Sequence, residues 1–367
     1  MNKYLLTIYF IMAPFYFFSS GLPQIAEVIL CIAFLLNIPG IFKAALSKVS
    51  VLYSPLFLWM ILVNVYYYYI SQDLEFLTFS AYYLFNWLVI SLVFFYLTLD
   101  QKGVYKSIIW GGVISGGIQL IISFFYSSPG YRESLFFNNP NQLAYFSLLL
   151  VITVLFCNDK LKGSPLINYS IMVIGLYLIF ISASMGGLAS LIVVILGYSI
   201  LRNKNLLDRM ISVSIGLFSL LIGYLIFANV SFLYGINNKL DAAMIRIHST
   251  TNTSDFYLER GYNRIIENPE FLVLGAGEGQ FERFNATLEL HSSIGTILFS
   301  YGIVGLLLLI LPFTFIFVKS NIKTIILLSA PILYGLSHNG LRDSMFWIFF
   351  ILILHVAYEN YKKEKEI

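Results

Sequence analysis

Apolar residues run along this chain in blocks of roughly 17–25, the length a helix needs to cross a lipid bilayer. Such blocks lie near 3–19, 24–42, 51–70, 79–98, 104–127, 141–157, 165–182, 186–201, 210–229, 292–318, 321–337 and 343–359, which predicts 12 transmembrane helices. One long polar interval, 230–291, interrupts them. The expected organisation is therefore residues 1–229 with helices one to nine, a large loop over 230–291, and residues 292–367 with helices ten to twelve and a tail. The fold class expected is an all-α polytopic integral membrane protein. The opening "MNKYLLTIYFIMAPFYFFSS" starts like a signal peptide, but it is rich in bulky aromatics and no small-x-small cleavage site follows. It reads as an uncleaved first span.

The long loop has a pattern of its own. Leu258, Tyr262, Ile265 and Ile266 are spaced as one face of a helix over Asp255 to Asn268, and Pro269 ends it. Arg260, Arg264 and Glu267 fall on the opposite face. This predicts a short helix lying on the outer surface. Arg260 and Arg264 are like charges one turn apart, which costs stability. Glu267 can offset Arg264 at i+3. Arg260 has the weaker local partner, which points it toward a ligand.

Composition agrees with the block pattern. The chain is 59% hydrophobic and 11% charged, with mean hydropathy +0.81, where soluble domains carry roughly 25% charged residues. That excludes a soluble globular protein. The 33 Phe and 26 Tyr fit lipid-facing rings and interfacial belts; sugar stacking is the other reading, and composition does not separate the two. Cys31 and Cys157 lie in apolar segments and read as buried thiols. No His/Cys/Asp cluster has metal-ligand spacing, so no metal is expected.

The net charge of +3 says little, but its sidedness changes the picture. Alternate loops, starting with the N-terminus, collect Lys3, Lys43, Lys48, Lys102, Lys106, Lys160, Lys162, Arg202, Lys204, Arg209, Lys319, Lys323, Lys362, Lys363 and Lys365. The other side collects Arg132, Lys239, Arg246, Arg260, Arg264, Arg283 and Arg342. The richer side is cytoplasmic, so both termini are predicted inside and the long loop outside. The inside cations are nearly all lysine and the outside ones nearly all arginine. Lysine suffices for topology. Arginine offers a planar fork that binds carboxylate or phosphate in bidentate fashion. An oxyanion ligand is one reading of this bias, and pairing with the outside carboxylates is the other. No span carries a charge at its middle, which counts against an ion-coupled carrier.

The remaining polar residues gather in five outer segments. In "GYRESLFFNNPNQLAYF", Asn139 and Pro140 read first as a helix start, while Asn138, Asn139 and Asn141 could bind sugar hydroxyls beside Arg132. "SASMGGLASL" reads as small residues for close helix packing. "GAGEG", which contains Glu278, lacks a βαβ context and reads as a tight turn rather than a phosphate loop. "LELHSSIG" places Glu289 and His291 at the mouth of a span, where His291 either caps the helix or moves a proton. "SHNGLRDSMFW" adds His338, Asn339 and Arg342.

The ordered segments "FNNPNQLA", "RGYNRIIENPEFLVLGAGEG", "ELHSSIGTILFSYGIVG" and "HNGLRD" resemble a bacterial O-antigen polymerase of the Wzy type, within the O-antigen ligase/polymerase superfamily. The resemblance covers the whole span pattern. It implies a metal-independent membrane glycosyltransferase of the GT-C-like, lipid-donor type, located in the bacterial inner membrane with a periplasmic site and using no cofactor. Donor and acceptor would be oligosaccharides on undecaprenyl pyrophosphate, with membrane lipid and a chain-length regulator protein as further partners and no nucleic acid. By position, Arg260 matches the family's loop arginine and His291 the histidine before the next span. His291 would serve as general base or orient the acceptor hydroxyl, with Glu289 the other candidate base. Arg132, Asn139, Asn141, Arg264, Glu278, His338, Asn339 and Arg342 would bind substrate. Ligase-like relatives often carry arginine in the segment where this chain has Met185, which favours polymerase over ligase. A flippase for lipid-linked oligosaccharide is the reading from another class.

Overall fold

Helix is the only regular structure among the described residues of the computed structural model, which are 4–19, 22–125, 132–202, 260–286 and 289–366. The predicted ninth span at 210–229, and the loop from 230 to 259 with Arg246, His248 and Leu258, lie outside the described residues.

The chain opens with α1 (Tyr4–Met12), α2 (Ile25–Leu36) and α3 (Ile38–Ala45). Helix α1 is shorter than the apolar block 3–19. The chain after it folds onto the buried side chain of Gln24. That amide accepts from the N–H groups of Phe17 and Phe18, both at 2.9 Å, and donates to the carbonyls of Phe18 and Leu22. One side chain thus satisfies backbone groups that a helix would otherwise pair. The apolar block 24–42 is two helices meeting at 88°. At their junction, the Asn37 amide donates to the Ala33 carbonyl at 2.7 Å and to the Tyr96 hydroxyl at 2.8 Å.

Helix α4 (Ser54–Ser71) leads into α5 (Leu74–Phe125), a helical stretch of 52 residues that breaks at Asp100. The Asp100 carboxylate accepts from Gly103 N at 2.9 Å, a cap that restarts the helix. The chain reverses there. Gln101 lies beside the His355 ring at one end of the bundle. Glu75 and Ser123, near the two ends of α5, meet Gln280 and Tyr177 at the opposite end. The blocks 79–98 and 104–127 are therefore two antiparallel arms.

Next come α6 (Pro140–Lys160), α7 (Pro165–Ile181) and α8 (Met185–Arg202). After the undescribed segment follow α9 (Asn263–Glu267), two 3-10 turns at Pro269–Leu272 and Phe281–Phe284, then α10 (Ser293–Lys319), α11 (Ile322–Gly335) and α12 (Ser344–Glu366). Asn139, Ser164, Ser292 and Asn321 cap their helices through side-chain oxygens. Helices α6 and α12 form the centre, with 83% and 72% of their most apolar windows buried against 33% for α10. In lipid, contact between helices comes from close packing rather than from escape from water. Gly112 shows this: a Cβ there would sit 2.5 Å from Val154 on α6.

Helices α5, α6, α10 and α12 are long and apolar enough to cross a membrane, and the bent α2–α3 pair makes a fifth if taken as one span. Helices α7, α8 and α11 are apolar but shorter. The described residues form an all-helical bundle of a membrane-embedded protein, with fewer helices meeting that measure than the 12 apolar blocks predict. Apart from Arg202 at the end of α8, its described cations separate by type. Lys319 pairs with Glu364, and Lys323 lies over Tyr198, whose hydroxyl donates to Asp159 at 2.5 Å, at the end where Asp100 turns. Arginines 132, 260, 264, 283 and 342 gather at the other end.

Candidate functional site

The arginine end is organised by a break in α10. Gly302 has φ +68° and ψ −173°, so the helix stops and restarts there. The break frees carbonyls that "GAGEG" then occupies. Ala276 N donates to Phe299 O at 2.9 Å and Gly277 N to Ser300 O at 2.8 Å. Trp59 Nε1 takes the Tyr301 carbonyl at 2.8 Å. Gly275, Gly277 and Gly279 have φ of +98°, +73° and +131°, which side chains other than glycine adopt at a cost. A Cβ on Gly275 would collide with the Ser300 carbonyl and the Tyr301 Cα. The N–H groups of Gly275 and Gln280 go to Phe271 O and the Glu75 carboxylate. With these amides spent on protein acceptors, the run is a docked turn and not a phosphate cradle. Arg283 braces it, donating to the carbonyls of Ala276 and Gly277 while its guanidinium lies over Tyr67, Phe76 and Phe284.

The turn delivers Glu278 into the bundle, where it is 1% exposed. Its amide N–H donates to Asn64 Oδ1 at 2.9 Å. Its Oε2 accepts from the hydroxyls of Tyr83 and, at 2.9 Å, Tyr301. Its Oε1 makes no hydrogen bond and lies 3.9 Å from Arg342 Nε. Burial pushes this carboxyl up from its ordinary range, and Arg342 opposes the shift. Glu278 therefore sits deep among the helices, not on the outer surface. Its anchors Asn64, Tyr83 and Tyr301 were not singled out from the sequence. The available signal was an isolated asparagine inside the apolar run "LVNVYYYY".

Arg342 lies between two acids and over the Phe79 ring, with an ion pair to Glu289 in addition to Glu278. Burial opposes its charge, yet the two carboxylates hold the guanidinium more firmly protonated than usual. Glu289 is thereby engaged by a guanidinium. Two residues on, His291 is half-buried, and its N–H donates to Arg260 O at 3.3 Å. Burial holds its imidazole below the ordinary value; Glu289 opposes this, and Arg260 and Arg264 reinforce it.

The predicted loop helix needs correcting. Its described part is only α9, Asn263–Glu267, and residues 255–259 lie outside the described residues. Tyr262 and Ile265 pack inward as the stripe predicts and Glu267 is exposed, but two positions are exchanged. Arg264 is 2% exposed and Ile266 is 74% exposed. Arg264 packs over Phe281, and Glu267 accepts from Asn263 rather than meeting Arg264. A backbone at positive φ on Gly261, whose missing side chain leaves room for the Arg264 guanidinium, rotates the short helix away from the simple periodicity. Arg260, half-buried, donates to Ser337 O, and Tyr262 OH donates to Leu336 O at 2.8 Å. This ties the loop to the α11–α12 connection.

A second polar group adjoins the first through that connection. His338 stacks on Tyr334 at 4.6 Å, and Tyr334 on Tyr145 at 4.5 Å. Its ring Nδ1 is 2.8 Å from Ser337 Oγ. Tyr334 OH donates to Asn141 O at 2.9 Å, and Asn141 Oδ1 accepts from Arg132 at 2.6 Å. Arg132 also donates to Ser182 O at 2.9 Å. The segment "SASMGG" does pack closely, as expected from its small residues. It also reaches this group, because Gly186 sits directly against Ser337 and His338. Asn339 accepts from Leu341 N at 3.2 Å, and its buried Nδ2 makes no hydrogen bond. Asn139 stands apart, exposed and occupied in capping α6. Among the described residues, no cluster of His, Cys, Asp and Glu is arranged to hold a metal ion. No family model matches the chain, and no curated protein matches its sequence.

Proposed function

We propose that this protein is a membrane glycosyltransferase that polymerises undecaprenyl-pyrophosphate-linked repeat units at the periplasmic surface of the bacterial inner membrane. On this reading the chain is of the 12-span, GT-C-like type, and both termini are cytoplasmic. The growing glycan leaves its lipid carrier and joins the sugar of a new lipid-linked unit. One observation carries the proposal: Arg260, Arg264, Arg342, Glu289 and His291 converge at the end of an apolar bundle opposite its lysines. A pyrophosphate leaving group gains negative charge in the transition state, and fixed cations aimed at it lower the barrier. Arg260 is the donor-facing cation in this reading, because it matches by position the loop arginine of the family the chain resembles. The exposed apolar residue Leu336, next to the Ser337 whose carbonyl Arg260 holds, suits a lipid tail. In this reading His291, half-buried beside Arg260, orients the acceptor hydroxyl. Met185, in the segment that meets His338, supports a polymerase over a ligase, since ligase-like relatives often place arginine there.

The test is the surface glycan of a strain lacking the protein. A polymerase leaves a single repeat unit on the core. A bare core indicates a ligase, and repeat units trapped on the inner leaflet indicate a flippase. Either of the last two outcomes overturns the proposal.

A further inference from the structure

We infer that Glu278 is the proton acceptor for the incoming hydroxyl, an assignment that rests on the glycosyl-transfer reading above. Its geometry is that of a prepared group. Oε2 is held by two tyrosine hydroxyls and the backbone by Asn64, while Oε1 is buried without a hydrogen bond. Glu278 lines a small pocket of about the size of a water molecule, shared with Arg264, Glu289, Thr296, Phe281 and Phe299. A buried carboxylate oxygen that accepts no hydrogen bond, with its nearest cation 3.9 Å away, costs free energy, so folding alone gives no reason to keep it.

Charge decides between the candidate acceptors. The groups facing Glu278 are Arg342, Glu289, Tyr83, Tyr301 and, across the pocket, Arg264. Of the two acids beside Arg342, Glu278 is 1% exposed and Glu289 32%, so proton uptake at Glu278 removes the charge that burial penalises more. His291 has Arg260 and Arg264 beside it, so an imidazolium there is repelled. Glu289 is committed to its ion pair with Arg342. A carboxyl raised by burial is also the better base.

The step balances. The acceptor oxygen bonds to the anomeric carbon of the donor sugar. The bond from that carbon to the pyrophosphate oxygen breaks, and its electron pair leaves with undecaprenyl pyrophosphate. The hydroxyl proton passes, through one water in the pocket, to Glu278 Oε1. His291 orients the hydroxyl and keeps its own protonation state.

The experiment uses the full-length protein in lipid nanodiscs with an undecaprenyl-pyrophosphate-linked repeat unit, following polymer formation, donor binding and thermal unfolding from pH 4 to 9. Glu278→Gln can still accept from both tyrosines, so it should unfold like wild type and bind donor equally well. Polymer formation should fall by roughly 10²- to 10⁴-fold. Wild-type activity should fall toward acid, and that fall should vanish from the residual rate of Glu278→Gln and persist in His291→Gln. Glu278→Asp, which keeps a carboxyl, should recover part of the rate and the acid dependence, and it decides the matter if the glutamine variant unfolds. Wild-type turnover in Glu278→Gln overturns the assignment, as does an acid limb that follows His291 instead or is missing from Glu278→Asp. If wild type itself forms no polymer under any condition, the glycosyl-transfer reading fails and this assignment falls with it.

Discussion

The two ends of this bundle solve opposite problems with similar residue types. At the lysine end, a polar network links Asn158, Asn168, Tyr198 and Asp159. Asn158 donates to Asn168 at 2.7 Å, Asn168 to Tyr198 at 2.6 Å, and Tyr198 to Asp159 at 2.5 Å. Each of these donors has an acceptor, and the lysines stand at the rim in pairs such as Lys319 with Glu364. At the arginine end, a helix is broken, five glycines hold positive φ, and a buried acid keeps one oxygen without a hydrogen bond. The first arrangement is what folding and topology require. The second retains buried charge that folding does not need, and such features concentrate where a protein acts.

The strongest way to break this contrast is to remove the device that creates it. Gly275→Ala forces an alanine to φ +98° and drives its Cβ into the backbone of the broken α10. The φ alone costs about 1–3 kcal/mol, and the collision adds to it. Glu278 should leave its anchors, activity should vanish, and the unfolding temperature should drop clearly. A Gly275→Ala protein that polymerises normally would show that the docked turn does not matter. Next in size is Arg264→Ala. The sequence pattern places Arg264 on an exposed face, where its loss would be mild, but it is 2% exposed and packed over Phe281. Its removal should cost about 2–3 kcal/mol, like other buried deletions that leave a cavity. Arg260→Ala should do the reverse, abolishing long glycan while unfolding changes by about 1 kcal/mol or less. Arg260→Lys should also fail if the planar fork is required. Equal behaviour of the two arginines in both assays removes the distinction drawn here between a structural and a donor-facing cation.

How far the sequence discloses each end follows from the range of the interactions. Caps at Asn139, Ser164 and Asn321 are local, and so are the apolar blocks, which is why helices α4, α6, α7, α8, α10, α11 and α12 begin and end close to where the blocks do. The bend at Asn37 depends on Tyr96, and the chain after α1 on Gln24, so neither shows in a run of apolar residues. In the site, clustering of arginine, histidine and glutamate in outer segments was legible, but depth was not. Glu278 lies within a glycine run that looks like a surface turn. Only the carbonyls released at Gly302, some 24 residues later in the chain, pull it inward. Arg264 is misplaced for a related reason: a five-residue helix is too short for periodicity to fix which face is buried.

A gentler test uses Asp343, which precedes α12 and accepts from Met345 N at 2.8 Å. Burial pushes its carboxyl up to about 6. A folded-state value above the unfolded one near 3.9 means that the folded state holds the proton more tightly. The resulting stability is fully present below the unfolded value and is lost as pH rises through about 6. Asp343→Asn keeps a capping oxygen and has no charge to bury. It should match wild type near pH 4 and unfold at a higher temperature than wild type at pH 7 and above. A variant less stable than wild type at pH 8 would show that the ionised carboxylate is favoured by something other than the cap.

The smallest effect is expected at the lysine end, and it is the control for the whole contrast. Lys319 and Glu364 form an ion pair with side-chain exposures of 23% and 57%, and Lys319 also lies over the Tyr361 ring. Water and salt screen such a pair, and holding two flexible chains costs entropy, so exposed pairs contribute roughly 0–1 kcal/mol. Lys319→Ala should therefore shift unfolding by less than about 1 kcal/mol, with the shift shrinking further in high salt. Polymer length and the pH profile should be unchanged, because Lys319 stands at the end opposite Glu278 and Arg260. The charge it removes is one of many lysines on its side, so orientation in the membrane should also persist, which a fusion reporter at the C-terminus can verify. A large loss of activity in Lys319→Ala, with the protein folded and correctly oriented, would mean that the two ends are coupled and that the division between a structural and a working end is false.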